Sequence, residues 1–273
     1  MQCLAQRPDL PERRRAATRN STRKASGNCN GTDKFLQGGI LQYEKGCVCK
    51  HKQIKSDSTK AMTIKRFQFN MFPVNCYVIS DKTGEAAIID AGCYYPEEEQ
   101  QLKRYINDNN LNVKHLLNTH LHLDHIFGNT FLLRELGLKA KACKEDEFLL
   151  EKMPAMCRMF GFPPNAAPAE LGGYIADGDK IQFGESTLEA IHVPGHSPGG
   201  MVFYNAENQC IFSGDVLFQG SIGRADLEGG NYDELLDSIA TRLFTLPDET
   251  IVYPGHGEPT SIGQEKMNNP YFK

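Results

Sequence analysis

From Met62 onward the apolar positions fall into short alternating runs and longer helical stripes, whereas the first 61 residues follow neither period. Ile64 to Phe69, Cys76 to Ser80 and Ala86 to Asp90 are rich in branched and aromatic residues, with turns at Asn70 to Asn75 and Asp81 to Gly84 between them. They predict three strands of an antiparallel meander. After Pro96, Leu102, Tyr105 and Ile106 recur at helical spacing, and Glu97, Glu98 and Glu99 fill a first turn where the helix dipole favours acids. Val113 to Asn118 predicts a short buried strand. Gly128 to Leu136 predicts a helix with Phe131, Leu132, Leu133 and Leu136 inward, Leu138 to Ala142 a strand, and Glu145 to Met153 another helix. A Pro-rich apolar stretch follows, with Pro154, Pro163, Pro164 and Pro168 among Met156, Met159, Phe160 and Phe162. Such a loop either covers a pocket or packs its own aromatics at the surface.

The second half repeats the order. Lys180 to Phe183, Thr187 to His192, Met201 to Tyr204 and Gln209 to Ser213 predict strands. Tyr232 to Phe244 predicts a helix burying Leu235, Leu236, Ile239, Leu243 and Phe244, and Thr250 to Tyr253 a last strand. Two similar successions imply an α+β fold in which two sheets pack face to face with helices outside, a four-layer sandwich.

Charge divides the chain at the same point. Residues 1–61 hold 13 Lys and Arg against 5 Asp and Glu, so of totals of 30 and 34 the remainder holds 17 and 29, giving +8 and −12. The basic part has few large apolar residues and is expected to be disordered. It fits an upstream extension without a role in the fold, an Arg-rich organelle transit peptide, or a nucleic-acid-binding arm. The part with the folding pattern, residues 62–273, would repel a phosphate backbone, so no nucleic-acid partner is expected. No apolar run reaches membrane-spanning length.

Nine cysteines, an odd number without regular spacing or a secretory signal, are expected to be reduced thiols in the cytoplasm, or in an organelle matrix if residues 1–61 are a transit peptide. Cys47 and Cys49, near His51 and Cys29, are separated by one residue where paired zinc ligands usually have two.

Candidate chemistry concentrates in Thr119 to His125, where His120, His122, Asp124 and His125 fall within six residues. In an extended segment His120 and His122 share a side and can grip one metal ion. A helical bend near Ile126 would turn Asp124 and His125 toward a second position, the geometry of a two-metal hydrolytic site. Three later residues each follow a predicted strand beside glycine: His196 in Pro194-Gly195-His196, Asp215 in Gly214-Asp215, and His256 in Gly255-His256-Gly257. Glycine permits tight turns that swing a side chain off a sheet end.

In this order the set resembles the metallo-beta-lactamase superfamily over nearly all of residues 62–273. Gly214-Asp215-Val216-Leu217-Phe218 followed by Gly220-Ser221-Ile222-Gly223-Arg224-Ala225-Asp226 is similar to its glyoxalase II (hydroxyacylglutathione hydrolase) branch. The resemblance implies an alpha-beta/beta-alpha sandwich. It implies that His120, His122 and His196 bind one divalent ion, that Asp124, His125 and His256 bind a second, and that Asp215 bridges them. Zinc is the first expectation, with iron or manganese as alternatives. The implied activity is hydrolysis of small thioesters such as S-lactoylglutathione by a metal-bound hydroxide that Asp124 helps to orient. Arg224 stands where the family places a basic residue toward a substrate carboxylate, although an ion pair with Asp226 explains it equally. Asp226 replaces a family tyrosine that contacts glutathione, and the 17 residues after His256 leave room for a strand end and one short helix, as in compact hydrolases without the C-terminal helical domain. The Gly223-Arg224-x-Asp226 run is also similar to persulfide dioxygenases, which would use one iron on His122 or His120, His196 and Asp215.

Overall fold

A computed structural model describes residues 62–163 and 170–273. Expectations for residues 1–61, including the Cys47–Cys49 pair, and for Pro164 and Pro168 lie outside these. The first half contains β1 (Thr63–Phe69), β2 (Val74–Ser80), β3 (Glu85–Ile89), α1 (Pro96–Asp108), β4 (Asn112–Leu117), α2 (Leu123–Ile126), α3 (Asn129–Leu136), β5 (Lys141–Ala142), α4 (Glu147–Met159) and β6 (Gly173–Tyr174). The second contains β7 (Lys180–Phe183), β8 (Ser186–His192), β9 (Met201–Asn205), β10 (Cys210–Gly214), the hairpin β11 (Leu217–Phe218) and β12 (Ser221–Ile222), α5 (Tyr232–Ser238), β13 (Ile251–Pro254), β14 (Thr260–Ser261) and α6 (Ile262–Asn268).

Two six-stranded sheets result, ordered β1-β2-β3-β4-β5-β6 and β14-β13-β10-β9-β8-β7. In each, an antiparallel meander is followed by a crossover to a parallel strand, through α1 to β4 and through α5 to β13. The expected meander of the first three strands is therefore present.

Side-chain alternation produces the layers. Tyr77, Ile79, Ile89 and Leu117 point between the sheets, where they meet Phe183, Leu188, Phe203 and Phe212. Their neighbours Val78, Ile88 and Leu116 face outward onto Leu102 and Ile106 of α1 and Phe131 and Leu132 of α3. On the far side Val202, Ile211 and Val252 meet Leu235, Ile239 and Ile262. The predicted four-layer alpha-beta/beta-alpha sandwich is the observed fold. Tyr77 crosses the central layer, and its hydroxyl donates to the Pro254 carbonyl at 2.7 Å, so the sheets are joined by a satisfied buried polar group.

Three local expectations change. Leu133 and Leu136 are each 40% exposed: Leu133 points away from Phe131, about 200° around α3, and Leu136 is the last residue of the helix, before Gly137. The helix expected to stop at Met153 runs to Met159 through Pro154. An interior proline costs a backbone bond, but Leu149, Met153 and Cys157 continue one buried stripe past it at i, i+4 and i+8. Downstream, Leu236 and Phe244 are half-buried rather than buried, and α5 passes at Ile239 into a π-helical turn that rotates the positions after it, Phe244 among them. Cys76, Cys93, Cys143, Cys157 and Cys210 are buried and form no disulfide. Among the described residues no helix is long and apolar enough to cross a membrane.

Candidate metal centre

The chain leaves β4 at Leu117 and passes over the end of the first sheet. Asn118 donates its backbone N–H to the Lys141 carbonyl at 2.9 Å. Thr119 turns onto Asp90, to which its N–H donates at 2.8 Å and its hydroxyl at 2.6 Å. His120, Leu121 and His122 follow, and the single helical turn of α2 begins at Leu123 with its first N–H groups beside Asp124. The bend expected near Ile126 thus begins at Leu123, one residue before Asp124 and two before His125.

The other three side chains come from the second half. His196 lies in the β8–β9 connection, where Gly195 at φ +124° passes over the backbone of Leu235 and a Cβ would sit 2.3 Å from Leu235 N. Asp215 follows β10 directly. His256 follows β13, tethered because Asn75 donates its N–H to Gly255 O at 2.6 Å and Gly255 donates to Gly214 O at 2.7 Å. A Cβ at Gly255 would lie 2.3 Å from Asp215 Oδ1 and 2.8 Å from His125 Cε1, so only glycine lets the backbone come this close.

All seven predicted side chains meet at one place between the sheet ends. His122 Nδ1 lies 3.0 Å from His196 Nε2, and His196 Nε2 lies 3.3 Å from His120 Nε2. On the other side Asp124 Oδ2 lies 3.2 Å from His256 Nε2 and 3.7 Å from His125 Nε2. Asp215 stands between, Oδ1 at 3.4 Å from His125 Nε2 and Oδ2 at 3.6 Å and 3.8 Å from the Nε2 atoms of His256 and His196. Donor atoms within 4.8 Å of one another form three groups: His120, His122 and His196; His120, His125 and Asp215; and Asp124, His125 and His256.

Three of the rings are held from behind by their other nitrogen. His196 Nδ1 donates to the Arg224 carbonyl at 2.7 Å, His120 Nδ1 to the Thr119 hydroxyl at 3.1 Å, and His125 Nδ1 to Asp90 Oδ2 at 3.0 Å. Each Nε2 is thereby aimed at the cluster. Burial keeps His120 and His196 well toward neutrality and brings His122 down to about 3, so their lone pairs are available. Burial opposes ionisation of Asp215 and Asp124, yet His256 and His125 at Asp215, and His125 and His256 at Asp124, hold both below the usual carboxylate range. Burial likewise opposes charge on His125, but Asp215, Asp124 and Asp90 together raise it.

These features fit metal ions. Asp124 Oδ2, His125 Nε2 and both oxygens of Asp215 are buried without a hydrogen bond of proper geometry, an arrangement costly for an apo cluster. Three buried carboxylates, Asp90, Asp124 and Asp215, also demand more compensating positive charge than one imidazolium supplies. Mixed imidazole and carboxylate donors suit zinc, iron or manganese.

Arg224 sits at the rim. Its guanidinium pairs with Asp226, Nε to Oδ1 and Nη2 to Oδ2 each at 2.7 Å, while its side chain also lines a cleft of about 550 Å³ that opens on His122 and Asp124. The ion pair expected with Asp226 is present. His115 and His192 bond the carbonyls of Gln182 and Pro198, each at 2.8 Å, and take no part in the cluster.

Two residues escaped the sequence reading. Asp90 orients Thr119 and His125 from the end of β3. Its one local signal was an aspartate before Ala91-Gly92, where the backbone turns at φ +54°. Asp146 is buried and receives Gly199 N at 2.6 Å, Ser197 Oγ at 2.8 Å and Leu121 N at 3.3 Å, tying the His196 loop to the His120–His122 segment. Nothing in its sequence neighbourhood marks it.

A four-layer sandwich carrying such a donor cluster at the sheet ends defines a class of metal-binding, generally hydrolytic proteins. The chain belongs to the metallo-beta-lactamase superfamily, whose profile matches residues 70–256. It is 39% identical over 212 residues to the hydroxyacylglutathione hydrolase GloC of Haemophilus influenzae, covering 77% of this chain and 98% of that protein. It is 31% identical over 206 residues to the mitochondrial persulfide dioxygenase ETHE1 of Bos taurus, covering 72% of each. Among solved structures it is similar to the B3 metallo-beta-lactamase BLEG-1, with a TM-score of 0.71, 32% identity and coverage of 77% of this chain and 100% of that one. It is also similar to TTHA1623 in a di-iron-bound form, with a TM-score of 0.67, 33% identity and coverage of 76% and 99%.

Proposed function

We propose that residues 62–273 form a thioester hydrolase in which His120, His122 and His196 would hold one divalent ion, Asp124, His125 and His256 a second, and Asp215 both. The observation that carries this reading is the division of six donor residues, all buried except the half-buried His256, into two groups of three on either side of the Asp215 carboxylate. Two such ions, zinc first and iron or manganese next, supply a Lewis acid for a carbonyl oxygen and lower the pKa of water at neutral pH. The protein's own part is positional. Asp124, with Oδ2 turned into the cluster, orients the attacking water and accepts its proton. Asp90, Thr119 and the Arg224 carbonyl keep three imidazoles from rotating. A thiolate leaving group has modest proton affinity, so no dedicated general acid is needed. The buried Cys93 and Cys143, both pushed up in pKa by burial, have no nucleophilic role here.

S-lactoylglutathione is the first substrate to try, given the similarity to GloC. The free thiols of the described cysteines support a reducing compartment, for which we take the cytoplasm. Similarity to ETHE1 favours a second reading, a mononuclear iron persulfide dioxygenase. One paired measurement separates them: metal content per chain, with hydrolysis of S-lactoylglutathione and oxygen uptake on glutathione persulfide followed in parallel. Two metals with hydrolysis and no oxygen uptake is the expected result. One iron with oxygen uptake would overturn it.

A further inference from the structure

The cleft beside the cluster is poorly matched to a highly charged substrate. Its two cationic side chains are both engaged, Lys152 with Glu228, which also lines the cleft, and Arg224 in a two-point pair with Asp226 at its rim. These four charges cancel. A glutathione conjugate brings two carboxylates, and each would have to compete with a carboxylate already in place.

The walls are of a different kind. Phe72 enters from the β1–β2 turn, Met156, Met159 and Phe160 from the end of α4, and Leu227 from the segment after Arg224. Met159 is 79% and Phe160 46% exposed, and Phe72 meets Phe160 edge to face with ring centres 5.7 Å apart. Contiguous exposed apolar side chains around a cleft mark a ligand site, and methionine adapts to varied shapes. This wall runs directly to His122 and Asp124.

We propose that the cleft selects thioesters whose acyl group is uncharged and apolar, several carbons long, and packed against Phe72, Met156, Met159, Phe160 and Leu227. Small hydroxyacyl groups on a charged thiol carrier are the poorer substrates. The proposal rests on the thioesterase reading and narrows its substrate. In the reaction the oxygen of one water forms the new bond to the carbonyl carbon, the C–S bond breaks, and carboxylate, thiol and one proton result with no change of oxidation state.

The test uses the metal-loaded full-length protein and straight-chain acyl thioesters, acetyl to octanoyl, of N-acetylcysteamine, a neutral thiol. We expect kcat/KM to rise about fourfold per added methylene until the cleft is filled, and to exceed that for S-lactoylglutathione. A flat or falling series, or S-lactoylglutathione as the best substrate, overturns the proposal. Met159→Glu, at a side chain too exposed to support the core, is expected to flatten the series, and an unchanged slope counts against it. A binding arm is independent of turnover: the S-octyl thioether of N-acetylcysteamine is expected to bind at least about tenfold more tightly than the S-methyl thioether, and Met159→Glu to remove that difference. Equal affinities for the wild type overturn the proposal, whereas tight octyl binding without cleavage of any thioester retains the apolar site and removes the hydrolase reading instead.

Discussion

The floor and the wall of the cleft are built on opposite principles. The floor is polar and largely buried: His120, His125 and His196 each have a partner behind the ring, and Asp90 and Asp146 anchor the segments that carry them. The wall is apolar and half-exposed, made by a helix end and two loops with no polar group that fixes a register. A metal centre needs directional donors held within a fraction of an ångström, so it is over-determined. A surface for an apolar group needs only area, so it tolerates variation.

The comparison can be broken at the floor first. Asp215→Ala or His122→Ala is expected to abolish hydrolysis while leaving the far-ultraviolet circular dichroism intact, and near-normal turnover by the Asp215 variant would sink the two-metal reading. Chelation is the reversible counterpart. It should remove activity and lower Tm, because ions bound to the native state stabilise it, and both should return on adding zinc, iron or manganese. A protein indifferent to chelator in both assays would show that the cluster serves another purpose.

Asp90→Asn is predicted to cost about 10- to 100-fold in metal affinity or activity, the range for a group that orients a ligand from behind. Metal titration of the variant checks this, and a wild-type titration curve would demote Asp90 to a fold residue. Asp146→Asn should lower stability by about 1–3 kcal/mol through weakened bonds to Ser197, Gly199 and Leu121. Denaturant unfolding measures that loss. The smallest expected effect is at the wall: Phe160→Ser should leave folding stability within about 0.5 kcal/mol of wild type. A larger drop would mean that the wall, too, supports the fold.

Much of this was legible because local chemistry announced it. Three histidines and an aspartate in Thr119 to His125, and three glycine-flanked residues after strands, were enough to name the seven side chains now found together. The branched and aromatic run from Cys76 to Ser80 likewise marked the second strand of the first sheet. Failures came where a short pattern has two solutions. Leu133 and Leu136 are as apolar as Phe131 and Leu132, and only the placement of a two-turn helix decides which pair is covered. Pro154 reads as a helix stop, yet the buried stripe through Leu149, Met153 and Cys157 overrides it. That override moved Met156, Met159 and Phe160 from an expected loop onto a helix end facing the cleft.

The sequence by itself determined the layer architecture and the donor set, since hydrophobic period and side-chain chemistry are properties of residues close along the chain. Only the tertiary structure decided what stands behind the donors and what faces the substrate. Asp90 lies 35 positions from His125, and Asp146 lies 51 from Ser197. Such pairs are made by the packing of distant strand ends, so neither partner carries a local trace of the other. The same holds for Lys152, whose charge looks available in the sequence and is neutralised only when the fold brings Glu228 against it.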